Sequence, residues 1–166
     1  MLTLQDYIWI ILTDDIISQA EEKCVPNNPE SFSDGEGSIY GEIAEICFGN
    51  IFTQYERENT PDYDFINRIT GTRIDVKAKH ITDFPMIDFD ASIPKFAGGN
   101  KRVLTYNCDY FVFARVRKSL DVCWLIGMIQ RKRFFEQAVF DPKMKQPCYQ
   151  MKYSDLLPLP QKSKGA

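Results

Sequence analysis

The sequence predicts an α/β fold in which helices flank a central mixed β-sheet. Residues 72 to 79 alternate between apolar and charged side chains, which is typical of a half-buried strand. Other segments have apolar residues spaced by three and four, which predicts helices. At 166 residues and 44% hydrophobic content, the chain can bury one core without disulfides or a structural metal. We therefore expect a single domain over residues 1 to 160 and a basic, disordered tail over residues 161 to 166.

The first half of the chain contains two predicted helices. Apolar spacing predicts a helix over residues 4 to 22. A second helix is predicted over residues 38 to 48, because Ser38 is a suitable cap and Gly49-Asn50 a suitable stop. Residues 25 to 37, which lie between them, are rich in helix and strand breakers and predict a loop.

A strand pair follows the second helix. Residues 63 to 69 and 72 to 79 are predicted strands, joined by a tight turn at Thr70-Gly71. Residues 82 to 107 have two prolines, a Gly-Gly pair and little periodicity, so we expect a long excursion there.

The last third of the chain completes the predicted sheet. Residues 110 to 116 and 122 to 129 are β-rich runs around a polar break, which predicts two strands. Helical spacing of apolar residues predicts a helix over residues 131 to 140, and a short strand is expected over residues 148 to 153.

Composition excludes several classes of protein. His80 is the only histidine and no two of the five cysteines form a CxxC pair, so a zinc site or a Ser-His-Asp triad has few candidate residues. The longest apolar stretch near the N-terminus, Tyr7 to Leu12, is far too short to span a membrane. No basic residue precedes Lys23, which argues against a secretory signal. We therefore expect a cytoplasmic protein with reduced cysteines.

The charge is divided along the chain. Residues 1 to 66 carry two bases and 14 acids, a net charge of −12, whereas residues 67 to 166 carry 18 bases and nine acids, a net charge of +9. A basic region of this kind can face a polyanion while the acidic region supplies carboxylates that hold a metal. The alternative is that both sets of charges are solvated surface.

Carboxylates and an amine converge on the predicted strand pair. Alternation places Asp75 and Lys77 on one face of the second strand and Asp62 and Asp64 on one face of the first. The turn at Thr70-Gly71 is expected to fold Asp64 back opposite Lys77 and near Asp75. Carboxylates this close repel each other unless a cation lies between them, which favours a Mg²⁺ site. Lys77 is then placed to orient or deprotonate a water, or to neutralise charge on a phosphoryl group.

These motifs resemble those of the PD-(D/E)XK nuclease superfamily, the restriction endonuclease-like proteins. Asp75-Val76-Lys77 matches the second-strand motif, with Asp in place of the commoner Glu. Pro61-Asp62-Tyr63-Asp64-Phe65 matches the first-strand motif, and Gly41-Glu42-Ile43-Ala44 matches a helix signature of many members. With the later strands included, the resemblance covers about two thirds of the chain. It implies an αβββαβ core, here with an extra N-terminal helix.

The resemblance also implies a function and roles for the motif residues. It implies a metal-dependent deoxyribonuclease, an endonuclease or an exonuclease and possibly of the phage type, that leaves a 5′-phosphate. Asp64, Asp75 and the Val76 carbonyl would hold Mg²⁺, for which Mn²⁺ substitutes, while Lys77 positions and activates water and Glu42 completes the site. Asp62 stays open as the alternative first-strand ligand.

Three basic residues are candidate contacts to DNA. Lys79 shares the strand face of Asp75 and Lys77, and Lys101-Arg102 lies in the predicted excursion. The alternative function is a catalytically silent relative that binds nucleic acid or a protein partner. The sequence leaves open the preference for DNA or RNA and the oligomeric state, for which a homodimer is one option.

Overall fold

The computed structural model describes residues 1 to 24, 38 to 97 and 102 to 161. Its α-helices are α1 (Asp14–Lys23), α2 (Ser38–Ile51) and α3 (Arg131–Gln137). Its strands are β1 (Ile8–Ile11), β2 (Glu56–Arg57), β3 (Phe65–Ile66), β4 (Arg73–Ile81), β5 (Asp90–Pro94), β6 (Phe96–Ala97), β7 (Arg102–Val103), β8 (Tyr110–Arg117), β9 (Val122–Gln130), β10 (Val139–Asp141) and β11 (Cys148–Lys152). The predicted tail, apart from Gln161, lies outside the described residues.

A six-stranded mixed sheet forms the centre of the fold and confirms the α/β class. Its strand order is β1-β9-β8-β4-β3-β2. Strands β4 and β8 pair in parallel from Ile74↔Tyr110 to Ile81↔Arg117, and the other neighbours pair antiparallel. β4 and β8 therefore run side by side through the middle of the sheet.

Two different layers cover the two faces of this sheet. Helices α1 and α2 pack on one face, where their apolar residues join Ile74, Val76 and Val112 in a buried cluster. The other face is covered by the small sheet β10-β11-β5 and by α3, around a second buried cluster that includes Phe111, Phe113 and Trp124. The expected helical flanks are thus present mainly on one side, and strands form much of the opposite layer.

The predicted helix over residues 4 to 22 is wrong in its first half. Residues Ile8–Ile11 form β1, which pairs antiparallel with β9 at the edge of the large sheet. Three of these four residues are β-branched isoleucines, which favour a strand. Helix α1 begins only at Asp14, after Thr13, whose hydroxyl accepts a hydrogen bond from Ile16 N at 3.3 Å.

The excursion predicted over residues 82 to 107 contains strands. β5 pairs with β11, and the short β6 pairs with β7. In the described part of this segment no α-helix connects β4 to the parallel β8. The helix predicted over residues 131 to 140 ends at Gln137, since Val139–Asp141 form β10 against β11.

The cysteines and helices agree with the composition. Cys47, Cys108, Cys123 and Cys148 are buried as thiols, and no disulfide links any of the five cysteines, all of which are described. In the described ranges, no helix combines the length and the apolar character needed to cross a membrane.

Gly127 generates a prediction about stability. A Cβ at this position of β9 would lie 2.8 Å from the Leu157 carbonyl oxygen and 3.1 Å from Leu156 Cβ. Leu157 is held there by hydrogen bonds with the Met128 backbone, so its carbonyl has little freedom to move. We expect Gly127→Ala to lower the free energy of unfolding by about 1–3 kcal/mol, measured by urea denaturation.

Gly41→Ala is the matched control for this substitution. It also adds one methyl group, but no atom lies within 4 Å of the new Cβ. Gly41 lies inside α2, so alanine is expected to raise the free energy of unfolding by up to about 1 kcal/mol. Equal stability of Gly127→Ala and the wild type would contradict the tight packing of β9 against residues 156 and 157.

Candidate active site

The candidate site lies at the edge of β4 that faces away from β8, at the point where the pairing of β4 with β3 ends. β3 pairs only with Arg73 and Ile74, and no other described strand continues along this edge beyond Ile74. The Val76 N–H points to this edge, because it donates to Asp64 Oδ2 at 2.8 Å. Both backbone groups of a strand residue point to the same side, so the Val76 carbonyl also points to the free edge.

Asp64 reaches this edge through a register that differs from the predicted one. Phe65 pairs with Ile74, two residues away from the expected pairing with Val76. The connecting loop is longer than the predicted two-residue turn, because the Asn67 side chain accepts hydrogen bonds from Ile69 N and Thr70 N. The prediction that Asp64 lies opposite Lys77 is therefore wrong, and its carboxylate binds the backbone of Val76, between Asp75 and Lys77.

Asp62 occupies a turn and does not lie on a strand. Thr60 Oγ1 accepts hydrogen bonds from Asp62 N at 3.2 Å and Tyr63 N at 3.0 Å, and Thr60 N donates to Tyr63 O at 2.9 Å. The expected shared strand face of Asp62 and Asp64 is wrong, because β3 begins only at Phe65. Asp64 is the acid of this pair that hydrogen-bonds β4.

Asp75 and Lys77 form an ion pair on one face of β4. Asp75 is 5% exposed, and its Oδ1 lies 2.8 Å from Lys77 Nζ. Lys77 Nζ also lies 5.0 Å from the centre of the Tyr106 ring. Burial alone would lower the pKa of Lys77, but Asp75, Tyr106 and Asp64 outweigh burial and raise it. Lys77 is therefore a cation at neutral pH, which favours orienting or neutralising roles over that of a base.

The helix contributes Glu45 in addition to the predicted Glu42. Arg57 Nη2 contacts Glu42 Oε2 at 2.6 Å and also Glu45 Oε2. The two glutamates are three residues apart on α2, so they share one face of the helix. The sequence analysis missed Glu45 and Arg57, although the spacing of the glutamates was a signal that could have identified Glu45.

Glu45 is also the acid that acts most strongly on Asp64. Burial raises the pKa of Asp64 well above its usual range, and the charges of Glu45 and then Asp75 raise it further, against Lys77 and the Val76 N–H. Burial likewise raises the pKa of Glu45 to about 7, with added contributions from Glu42 and Asp75, although Arg57 opposes the shift. The carboxyl groups on α2 therefore interact electrostatically with those at the edge of β4.

The residues of the site fit a Mg²⁺ ion by their chemistry. Four carboxyl groups and two cations make up the cluster, so its formal charge is −2 when all are ionised: Glu42, Glu45, Asp64, Asp75, Arg57 and Lys77. Among the described residues, no group of three acidic, histidine or cysteine side chains is arranged to hold a metal. In the cluster, Glu42, Glu45 and Asp75 contact cations, and Asp64 accepts from an N–H. Mg²⁺ often takes only one or two carboxylates together with waters and substrate phosphates. Asp64, Asp75 and the Val76 carbonyl would supply two carboxylates and one carbonyl oxygen of this kind.

A cleft of about 1350 Å³ extends from Lys77 along the free edge of β4. Its walls are formed by β4, β8, β5 and the loop before β11. Its lining includes five cations and the acid Asp90: Lys77, Lys79, Arg115, Lys118 and Lys145. Lys79 Nζ contacts Ser92 Oγ across the cleft. Lys101 and the Arg102 side chain, which were the other predicted DNA contacts, lie outside the described residues.

Comparison with known proteins does not connect this chain to a family. No protein-family model and no curated protein matches it. The resemblance to nucleases therefore rests on the motifs around Glu42, Asp64 and Asp75 and on their geometry.

The raised pKa of Glu45 generates a prediction about stability and pH. Between about pH 4.5 and 7 the folded chain binds more protons than the unfolded chain, so the free energy of unfolding falls as the pH rises. We expect a loss of about 1–3 kcal/mol between pH 5.5 and 8 in chelator, measured by urea denaturation. Glu45→Gln should reduce this loss, while Asp64 maintains part of it.

Glu136→Gln is the control, because Glu136 is exposed on α3 and its contact with Lys132 Nζ is 3.8 Å long. It should keep the pH dependence of the wild type. The same pH dependence in Glu45→Gln and the wild type would show that Glu45 ionises normally in the folded chain.

Proposed function

We propose that this protein is a cytoplasmic, metal-dependent deoxyribonuclease that hydrolyses DNA phosphodiester bonds. The observation that carries the proposal is the arrangement at the free edge of β4. Asp64 Oδ2 lies 2.8 Å from Val76 N, and the Asp75–Lys77 ion pair flanks the same residue. A cleft lined by basic residues begins at the neighbouring Lys77, so a polyanion that extends beyond this end of the cleft would reach the carboxylates.

Each group of the site has a role in this reaction. Asp64, Asp75 and the Val76 carbonyl would hold Mg²⁺, which supplies Lewis acidity and neutralises phosphate charge when bound. Lys77, which is protonated, orients the attacking water and neutralises the charge that develops on the phosphoryl oxygens. Arg57 holds Glu42 and Glu45 on the helix side of the cluster, where their negative charge favours a cation at Asp64.

The order of elements supports a restriction endonuclease-like core. The chain contains α2, β3, β4, β8 and β9 in this order, with β2 after α2 and β5 to β7 after β4, and β4 and β8 are parallel neighbours in the sheet. This order differs from αβββαβ in two places. Between β4 and β8 the described residues form strands of the smaller sheets, and β8 is joined to β9 by residues 118 to 121 without a helix.

Cleavage assays test the proposed function. We expect Asp75→Asn and Lys77→Ala each to reduce cleavage by about 10²- to 10⁴-fold, because each removes a positioned charged group. Supercoiled, linear and branched DNA should be incubated side by side with Mg²⁺, Mn²⁺, Ca²⁺ or chelator. Mg²⁺ and Mn²⁺ should support cleavage, whereas Ca²⁺ prefers longer bonds and more ligands and should not.

Lys132→Ala is the control for loss of a lysine, since Lys132 is exposed on α3 and does not line the cleft. It should cleave like the wild type. Cleavage in excess chelator, or wild-type cleavage by Lys77→Ala, would contradict the proposal. Mg²⁺ and DNA binding without cleavage of any substrate would favour the catalytically silent alternative.

Asp64 and Asp62 form a matched pair for testing the metal ligands. Asp64 binds the edge of β4, whereas Asp62 lies in the turn that begins at Thr60. Asp64→Asn should therefore weaken Mg²⁺ binding by at least about tenfold in calorimetry, and Asp62→Asn should change it less than twofold. Weaker Mg²⁺ binding in Asp62→Asn alone would assign the ligand to Asp62.

A further inference from the structure

Lys79 and Arg115 place two positive charges side by side in the cleft. They are paired residues in the parallel register of β4 and β8. Arg115 contacts neutral oxygens, those of the Tyr153 hydroxyl and the His80 and Asp90 carbonyls, and Lys79 contacts Ser92 Oγ. Neither cation forms an ion pair with a described residue, since the nearby Asp90 carboxylate is bound by Lys152 at 2.9 Å. Adjacent cations without a counter-ion form an attractive site for an anion.

The spacing of this site from Lys77 suits a nucleic-acid strand. Lys77 and Lys79 share one face of β4 and are separated by two residues, a distance of about 7 Å. Successive phosphates of an extended strand are separated by a similar distance. A phosphate at Lys77 therefore leaves its neighbour beside Lys79 and Arg115.

The cleft places aromatic rings on the other side of the same edge. Tyr40 and His80 line the cleft, and their ring centres are 5.1 Å apart. Side chains alternate between the two faces of a strand, so the His80 side chain lies on the face of β4 opposite to Lys77 and Lys79. A DNA strand in this cleft would place its phosphates beside the lysines and its bases beside the two rings. The bases can reach the rings only if they are unpaired, because the bases of duplex DNA are stacked inside the double helix.

From this arrangement we infer that the cleft binds a single DNA strand along β4, with the phosphate next to the cleaved one held by Lys79 and Arg115. The inference rests on the proposed function for the position of the cleaved phosphate. Stacking on Tyr40 and His80 accepts any base, so binding has little sequence preference. The single strand is a free end, an unpaired flap or a single-stranded region of a larger DNA.

Binding measurements in chelator test this inference without requiring cleavage. The probe is a labelled 12-nucleotide single strand, compared with its duplex by fluorescence anisotropy at several salt concentrations. We expect the single strand to bind at least about fivefold more tightly than the duplex. Lys79→Ala should weaken single-strand binding by about tenfold and reduce the salt slope by about 0.7, the contribution of one phosphate.

Two variants control for loss of structure and for non-specific charge. Lys79→Arg keeps the positive charge and should keep the salt slope, while Lys132→Ala, which lies on α3, should keep both affinity and slope. Arg115→Ala should weaken single-strand binding in the same way as Lys79→Ala. If Arg115→Ala fails to fold, the comparison of Lys79→Ala with Lys79→Arg still tests the inference.

The outcomes separate this inference from the proposed function. Duplex binding as tight as single-strand binding, or an unchanged slope in Lys79→Ala, overturns the inference even if DNA is cleaved. Single-strand binding that depends on Lys79, without cleavage in Mg²⁺, supports the binding site and overturns the proposed nuclease.

Discussion

The hydrogen bond from the Val76 N–H to the Asp64 carboxylate determines how the site is built. β3 ends its pairing with β4 at Ile74, and this side-chain bond satisfies the next backbone donor that faces the free edge. An unpaired backbone donor costs free energy when it is removed from water, so the bond fixes Asp64 against β4. The same early end of β3 leaves the rest of this edge open to the basic cleft. The carboxylate and the cleft thus follow from one feature of strand pairing.

Like charges are held together at this edge by packing and by two cations. α2 packs against β4, which brings Glu42 and Glu45 to the side of the sheet edge where Asp64 is fixed. Arg57 and Lys77 offset part of the resulting repulsion, but burial strengthens what remains. Repulsion between buried carboxylates is common at functional sites, because a bound cation relieves it. In the proposed function, a divalent ion bound at Asp64 and Asp75 would offset the negative charge that remains.

Much of the sheet was predictable, whereas its edge details were not. The strands β8 and β9 and the helix α2 agree with the predicted segments within a few residues, because their runs are long and their patterns clear. The N-terminal segment was misread because a short strand, a capped turn and a helix together imitate helical spacing. The register at Asp64 depends on hydrogen bonds that the Asn67 side chain accepts from Ile69 N and Thr70 N, which a simple turn rule does not include.

The candidate site was also only partly visible in the sequence. Asp75 and Lys77 follow from strand alternation, since the two residues lie on one strand face. The three-residue spacing of Glu42 and Glu45 predicts a shared helix face, but their contacts with Arg57 depend on how α2 packs beside β2, which no local pattern encodes. Composition likewise gave the excess of bases after residue 66, but the pairing of Lys79 with Arg115 arises from the parallel register of two distant strands.

The two edges of the large sheet are protected from unwanted pairing in different ways. β1 exposes Trp9 and Ile11, at 55% and 70%, but it is only four residues long. The free part of β4 is longer, and it carries the charged side chains of Lys77 and Lys79. Charged residues, lysine above all, disfavour the addition of another strand at such an edge. The lysines that would contact DNA in the proposed function therefore also disfavour strand addition, which would keep the edge open for DNA.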